Sequence, residues 1–353
     1  MEYLNTIKER RIPINSTILQ ALKKMDAVNK KMLLVFDTDK FIGILSIGDI
    51  QKAIITNISL ETCISKIMRK DFVYAKISDE KDTIFQLMQK LRIECMPVLN
   101  ENNELISIYL WDDVFVTKKR NEGIQLNLPV IIMAGGQGTR LKPLTTILPK
   151  PLIPIGEKTI IEQIMDKFCD VGCNTFYLSV NYKAEMIKYY FSTLQNMPYN
   201  ISYFQEDKPL GTIGSLSLLK GKLNSTFFVS NCDILVDQDI KAILDFHRDN
   251  KNEITIVAAL KHYPIPYGIM ETNEDGSLKS ISEKPELTFK INTGLYILEP
   301  HLLNEIPEDK FYDITDQIMD IMKRKGKIGV FPVSEKSWVD IGSFADYFKT
   351  IQL

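Results

Sequence analysis

Apolar residues recur at helical spacing in TILQALKKM, which begins at Thr17, and again in TIFQLMQKL, which begins at Thr83. This spacing places them on one face of an amphipathic helix. Each helix is followed by an apolar stretch broken by a polar turn, MLLVFDTDKFIGIL in the first copy and MPVLNENNELISIY in the second. Both stretches predict two strands, joined at Asp37–Lys40 and at Asn100–Glu104. Each copy then ends on an acid that opens another helix, Asp49 and Asp113, and matching positions lie 64 to 66 residues apart. A single helix–strand–strand–helix unit of this size cannot close its own core well. Two copies, about residues 1–60 and 61–120, are expected to pack together as one module.

Beyond Trp111 the pattern changes. KKRNEGIQLN at 118–127 is polar and basic, as linkers are, and an apolar strand, PVIIMA, starts at Pro129. Ala134, Gly135, Gly136, Gln137, Gly138, Thr139 and Arg140 follow it directly. A glycine-rich turn at the carboxyl end of a buried strand, opening toward a helix, lets backbone N–H groups approach phosphate oxygens. Ordinary turns use the same glycines, so the neighbourhood matters. Arg140 comes immediately after, and Pro149 and Pro151 fix the backbone on both sides of Lys150. A cation held in this way is suited to a positioned charge. A second apolar strand, FFVS from Phe227, runs into Asp233, which places a carboxylate at the mouth of an open α/β sheet. Each carboxylate taken alone would equally suit a turn or a helix cap.

Composition narrows the function classes. The 353 residues suffice for two or three domains, and 45% apolar with 25% charged residues is ordinary for a globular protein. With 43 basic and 45 acidic residues the net charge is −2, so no overall positive field exists to hold a nucleic acid or an anionic membrane. No apolar stretch reaches the ~18 residues of a membrane-spanning helix, and the N-terminus lacks a secretory h-region. Five cysteines without a C-x-x-C pair read as buried thiols in a reducing, cytoplasmic setting.

Two resemblances add to this reading. The repeated apolar–V–x–D, turn, apolar–G–apolar–x–S–x–x–D pattern of residues 1–120 resembles the CBS-domain pair, an α+β module. That resemblance implies an adenosine nucleotide as ligand, with Ser46 on phosphate and Asp49 on ribose. The second copy carries Leu110 where the first has Ser46, which weakens a second site. The alternatives are that Asp49 and Asp113 are helix-terminal acids, or that the module is a dimerisation platform.

The string GGQGTRLKPLTTILPKPL, with the chain from about 128 to 353, resembles the sugar-1-phosphate nucleotidyltransferases, closest to hexose-1-phosphate guanylyltransferases. The implied fold is a Rossmann-like α/β domain with a mixed, mostly parallel sheet. The implied reaction joins a nucleoside triphosphate to a sugar 1-phosphate and releases pyrophosphate. On this resemblance Ala134, Gly135, Gly136, Gly138 and Thr139 cradle the triphosphate, and Arg140 and Lys150 neutralise charge at the reacting centre. Asp233 and Asp340 hold Mg2+, which favours hard oxygen ligands. Gly211 and Thr212, in PLGTIGS, face the nucleobase. Glu206 stands where several relatives carry Gln; one carboxylate can accept both guanine N1–H and the N2 amino group, so GTP is favoured. Tyr267, Gly268, Glu283, Lys284, Asn292 and Thr293 form the implied sugar-phosphate side.

The fused architecture implies glucosamine 1-phosphate, for a bacterial surface sugar such as legionaminic acid, and a homo-oligomer. The competing readings are a uridylyl- or thymidylyltransferase, and an inactive transferase that senses adenosine nucleotides.

Overall fold

The computed structural model describes residues 2–91, 93–111 and 125–351. The chain divides into two compact units, residues 1–120 and 121–353.

In the first unit, α1 (Glu2–Arg10) leads to β1 (Arg11–Pro13), α2 (Ile18–Val28), β2 (Met32–Asp37), β3 (Lys40–Ser46) and α3 (Ile47–Ile55). The second copy supplies β4 (Ala75–Lys76), α4 (Lys81–Leu91), β5 (Cys95–Leu99) and β6 (Leu105–Leu110). In each copy the first strand pairs parallel to the second and the second antiparallel to the third. Met32, Leu34, Phe36, Phe41 and Ile44 share one apolar cluster with Cys95, Leu99 and Ile108. This cluster is therefore built from both copies, while Ala75, Ile84, Met88, Met96 and Val98 form another within the second copy alone. The two helix starts differ. Thr17 caps α2 in a capping box with Gln20, whereas α4 begins two residues before Thr83. Asp113 and positions 118–124 of the linker stretch lie outside the described residues.

The second unit is an α/β domain. Its strands are β7 (Val130–Met133), β8 (Pro154–Ile155), β9 (Lys158–Thr159), β10 (Thr175–Val180), β11 (Asn200–Gln205), β12 (Phe227–Asn231), β13 (Ile234–Val236), β14 (Ile254–Pro264), β15 (Ile269–Thr272), β16 (Leu278–Ser282), β17 (Glu286–Leu298), β18 (Ile328–Ser334) and β19 (Trp338–Asp340). The principal sheet has the order β11-β10-β7-β12-β17-β14-β18, with β17 the one strand that runs against the others. Val130, Ile131 and Ile132 are fully buried, as an apolar strand covered on both faces must be. The main helices are α5 (Ile160–Cys169), α6 (Ala184–Thr193), α7 (Ile240–Asp249), α8 (Ile314–Lys323) and α9 (Phe344–Ile351).

The chain leaves β7 for β10 on one side and later returns to β12 on the other. That reversal opens a crevice at the carboxyl end of β7, where open α/β sheets place their ligands. The glycine-rich turn sits there, but it does not open onto a long helix. A single 3-10 turn, Thr139–Leu141, is followed by one helical turn, Leu144–Ile147. Pro143, Pro149 and Pro151 deny this segment the N–H groups of a continuous helix. Among the described residues no helix is long and apolar enough to cross a membrane.

Candidate active site

Gly138 has φ +61°, and a Cβ there would lie 2.8 Å from Thr145 Cγ2 and 3.1 Å from Lys150 Cβ. The turn therefore packs directly on the segment that carries Lys150, and Thr145 Oγ1 donates to the Gly138 carbonyl at 2.9 Å. Lys150 is 8% exposed, and its ammonium pairs with the Asp233 carboxylate. Two flanking prolines and a 3-10 turn, Lys150–Leu152, hold its backbone, so the buried charge is fixed in place.

Asp233 and Asp340 are 107 residues apart in sequence and adjacent in space. The antiparallel pairing of β13 with β19 sets Ile234 opposite Asp340, and Ile341 N–H donates to the Asp233 carbonyl at 2.8 Å. Burial, then the neighbouring Asp233 charge, pushes the Asp340 carboxyl above its usual range; the Gly342 N–H, Lys150 and Arg140 oppose this. The Arg140 guanidinium lies over Gly342, where a Cβ would meet Nη2 at 3.0 Å. Asp233, Asp340, Arg140 and Asn231 line one open pocket of about 190 Å³ together with Asn292, Thr293 and Trp338. Two half-buried carboxylates that repel each other, facing an open polar pocket, fit a hard divalent cation bound through oxygen. The neighbouring Cys232 thiol is buried and pushed up to about 12, which leaves it un-ionised at neutral pH.

Glu206 follows β11 and lies against the glycine-rich turn: a Cβ on Gly135 would fall 2.8 Å from Glu206 Oε1. Its other oxygen accepts from Leu210 N–H at 3.1 Å, and its carbonyl accepts from Asn181 Nδ2 at 3.0 Å. Burial raises the Glu206 carboxyl, and the Leu210 N–H partly offsets that. Three strand ends, those of β7, β10 and β11, thus meet at this carboxylate. Gly211 has φ +82°, and the Thr212 hydroxyl accepts from Ile314 N–H at 2.8 Å, so that side chain braces α8.

The residues on the implied sugar side fall into two groups. Asn292 and Thr293 line the pocket, where Thr293 Oγ1 donates to the Val257 carbonyl at 2.8 Å and Asn292 Nδ2 to the Tyr296 hydroxyl at 2.8 Å. Tyr267, Gly268, Glu283 and Lys284 belong to the exposed ribbon around β15 and β16, outside that lining. Glu283 Oε2 approaches within 2.8 Å of a Cβ built on Gly268, so this pair forms a local contact.

In the first unit Ser46 caps α3 and Asp49 closes the capping box. Arg69 Nε donates to Asp49 Oδ1 at 2.7 Å, and its Nη2 donates to Ser46 Oγ at 3.3 Å. The two candidate ligand residues are thereby hydrogen-bonded within the module itself.

Residues 129–353 match the nucleotidyl transferase family model, nearly two thirds of the chain. The chain belongs to the nucleotidyl transferase family. Residues 10–56 and 64–116 match the CBS-domain model. The mannose-1-phosphate guanylyltransferase catalytic subunit beta of Drosophila pseudoobscura pseudoobscura is 34% identical over 62% of this chain and 60% of its own length. The UTP–glucose-1-phosphate uridylyltransferase of Synechocystis sp. is 30% identical over 64% of this chain and 63% of its own. The chain thus spans about 60% of the length of these curated relatives. Among solved structures, HddC from Yersinia pseudotuberculosis superposes with a TM-score of 0.51 at 29% identity, covering 64% of this chain and 98% of HddC. The same protein has been solved with GMP-PN.

Within this nucleotidyl transferase domain, sequence reasoning overlooked Asn231, Trp338 and Asn181. The signal for Asn231 was present in SNCD, two positions before Asp233 on the same strand end. Asn181 stands in an unremarkable string, Trp338 opens the WVDIG string that carries Asp340, and strand pairing brings both to the crevice.

Proposed function

We propose that the protein transfers a nucleoside monophosphate, GMP by preference, from a nucleoside triphosphate to a hexose 1-phosphate and releases pyrophosphate. The observation that carries this reading is the convergence of Arg140, Asp233 and Asp340 on one pocket beside the glycine-rich turn, with Lys150 paired to Asp233. In-line attack of the sugar phosphate on the α-phosphorus needs no enzyme nucleophile, so positioning and charge neutralisation suffice. Lys150 supplies a fixed positive charge, Arg140 a second one from the exposed edge of the pocket, and the glycine turn lets backbone approach the phosphates. Asp233 and Asp340 would hold Mg2+, which, when bound, supplies charge neutralisation at the phosphates. Lys284 on the ribbon is proposed to reach the sugar phosphate.

Guanine preference is supported by Glu206, whose carboxylate stands beside Gly135, and by the guanine nucleotide solved with the related HddC. Relatives named for mannose 1-phosphate and for glucose 1-phosphate leave two hexoses beside the glucosamine 1-phosphate implied by the architecture. An adenosine nucleotide at Ser46 and Asp49 would have to displace Arg69. The test is pyrophosphate release with Mg2+, crossing GTP, UTP, ATP, CTP and dTTP with glucose, mannose and glucosamine 1-phosphates. Release largely confined to GTP is expected. Equal or faster release with UTP would discard the base assignment and keep the transferase, and no release from any pair would refute both.

A further inference from the structure

A second segment, 107 residues downstream of Glu206 and outside the motif strings, holds the base-facing loop in shape. Leu210 N–H fixes Glu206 Oε2 at 3.1 Å, and the Leu210 carbonyl in turn accepts from Tyr312 N–H at 2.9 Å. On the far side of Gly211, Thr212 N–H donates to Asp313 Oδ1 at 2.8 Å and Ile213 N–H to the Tyr312 carbonyl at 3.2 Å. Ile314 N–H returns a bond to Thr212 Oγ1 at 2.8 Å. Gly211 permits this closeness, since a Cβ there would lie 2.7 Å from the Tyr312 carbonyl oxygen and 2.9 Å from Asp313 Oδ1. An ion pair of Lys208 with Asp309 at 2.8 Å adds a tie at the loop's outer end. Both peptides flanking Gly211 are therefore anchored on 312–314, and Leu210 is the link between that anchor and the Glu206 carboxylate.

We propose that Asp313 is a positioning residue for nucleobase selection, holding the 209–214 loop so that Leu210 keeps the Glu206 carboxylate turned toward the base. The inference deepens the proposed function and rests on its assignment of Glu206 to the base. In this role Asp313 acts through the loop and not on the nucleotide itself. Its side chain acts as the acceptor for Thr212 N–H, which a neutral amide oxygen could replace. Loss of the acceptor leaves Thr212 N–H without its partner and loosens one of the loop's ties, and the cost then falls on discrimination between bases and on KM rather than on the phosphate chemistry.

The test uses the full chain and Asp313→Ser, because Ser remains a favoured residue before α8 and is too short to reach Thr212. Asp313→Asn keeps the acceptor. Asp316→Ala removes the carboxylate that accepts from Asp313 N–H at 2.9 Å and leaves the Thr212 contact in place. The readout is the ratio of kcat/KM for the best to the second-best triphosphate of the wild-type protein, with thermal midpoints for each variant. Asp313→Ser should lower that ratio about tenfold, the size of one charge-assisted hydrogen bond, with kcat nearly unchanged. Asp313→Asn and Asp316→Ala should retain it.

An unchanged ratio in folded Asp313→Ser overturns the proposal. So does an equal fall in kcat for every triphosphate, or a loss in Asp313→Asn as large as in Asp313→Ser. The wild-type ranking of GTP against UTP judges the guanine assignment separately. A preference for UTP would sink that assignment while the ratio still reads the role of Asp313.

Discussion

Replacing Lys150 by Ala tests both the electrostatics and the chemistry of the pocket. The Lys150 side chain is 10% exposed and that of Asp233 14%, so neither charge is well hydrated when its partner is lost. At an effective dielectric of about 20, opposite charges about 4 Å apart attract by about 4 kcal/mol. Removing one partner of a buried pair typically costs about 3–5 kcal/mol, because the other charge stays buried. Here the cost is increased by Asp340, which already repels Asp233. For a domain of this size about 4 kcal/mol corresponds to a fall of about 10 °C in thermal midpoint. Thermal melts of wild type and Lys150→Ala in chelator should differ by roughly that amount. Mg2+ should recover part of the deficit, since a bound cation replaces the missing charge. Turnover, assayed well below both midpoints with Mg2+ present, should still fall by about 100-fold or more, as when one preorganised charge donor is removed. Equal midpoints in chelator would refute the buried pair. Turnover that recovers along with the midpoint would refute a chemical role for Lys150 and leave it a structural one.

Other outcomes follow from the same structure. Glu206→Gln should lower kcat/KM for GTP by about 10- to 100-fold and spare UTP, measured by pyrophosphate release, because an amide cannot accept both guanine donors. His247 is 1% exposed between Thr255 Oγ1 at 2.8 Å and Glu299 Oε1 at 3.0 Å, and burial lowers its pKa against the pull of Glu299. A base depressed in the folded state gives stability that is full above the unfolded value of about 6.5 and is lost as pH falls through the folded one. Melts should therefore decline more steeply as pH falls below about 6.5 for wild type than for His247→Gln. Arg69→Ala should cost less than about 1 kcal/mol, since that side chain is half exposed. Titration of that variant with AMP and ATP should bind more tightly than wild type if Ser46 and Asp49 form a nucleotide site; the absence of binding in both would count for their role as helix cap alone.

How much could be read without coordinates depended on how local each cause was. The repeat was legible because one helix–turn–strand pattern occurs twice, and the Val130–Ile132 strand because a buried parallel strand reads as a continuous apolar run. The glycine-rich turn, Lys150 between its prolines, and Asp233 after a strand are each written within a few residues. The helix expected after the turn fails for an equally local reason: Pro143, Pro149 and Pro151 break it, whereas only Pro149 and Pro151 enter the sequence reading, as rigid supports for Lys150.

Tertiary structure alone decided the contacts made across long loops. Asp233 meets Asp340 through the pairing of β13 with β19, and Glu206 meets Gly135 because β11, β10 and β7 are neighbours. Arg69 closes on Asp49 where Ile44 and Arg69 exchange backbone hydrogen bonds beside β3. Asp313 reaches Thr212 because a left-handed Gly211 leaves space for the 312–314 backbone. The chemical character of each residue belongs to the sequence. Which residues become neighbours depends on strand order and on loop closure, and neither carries a local period that a sequence can display.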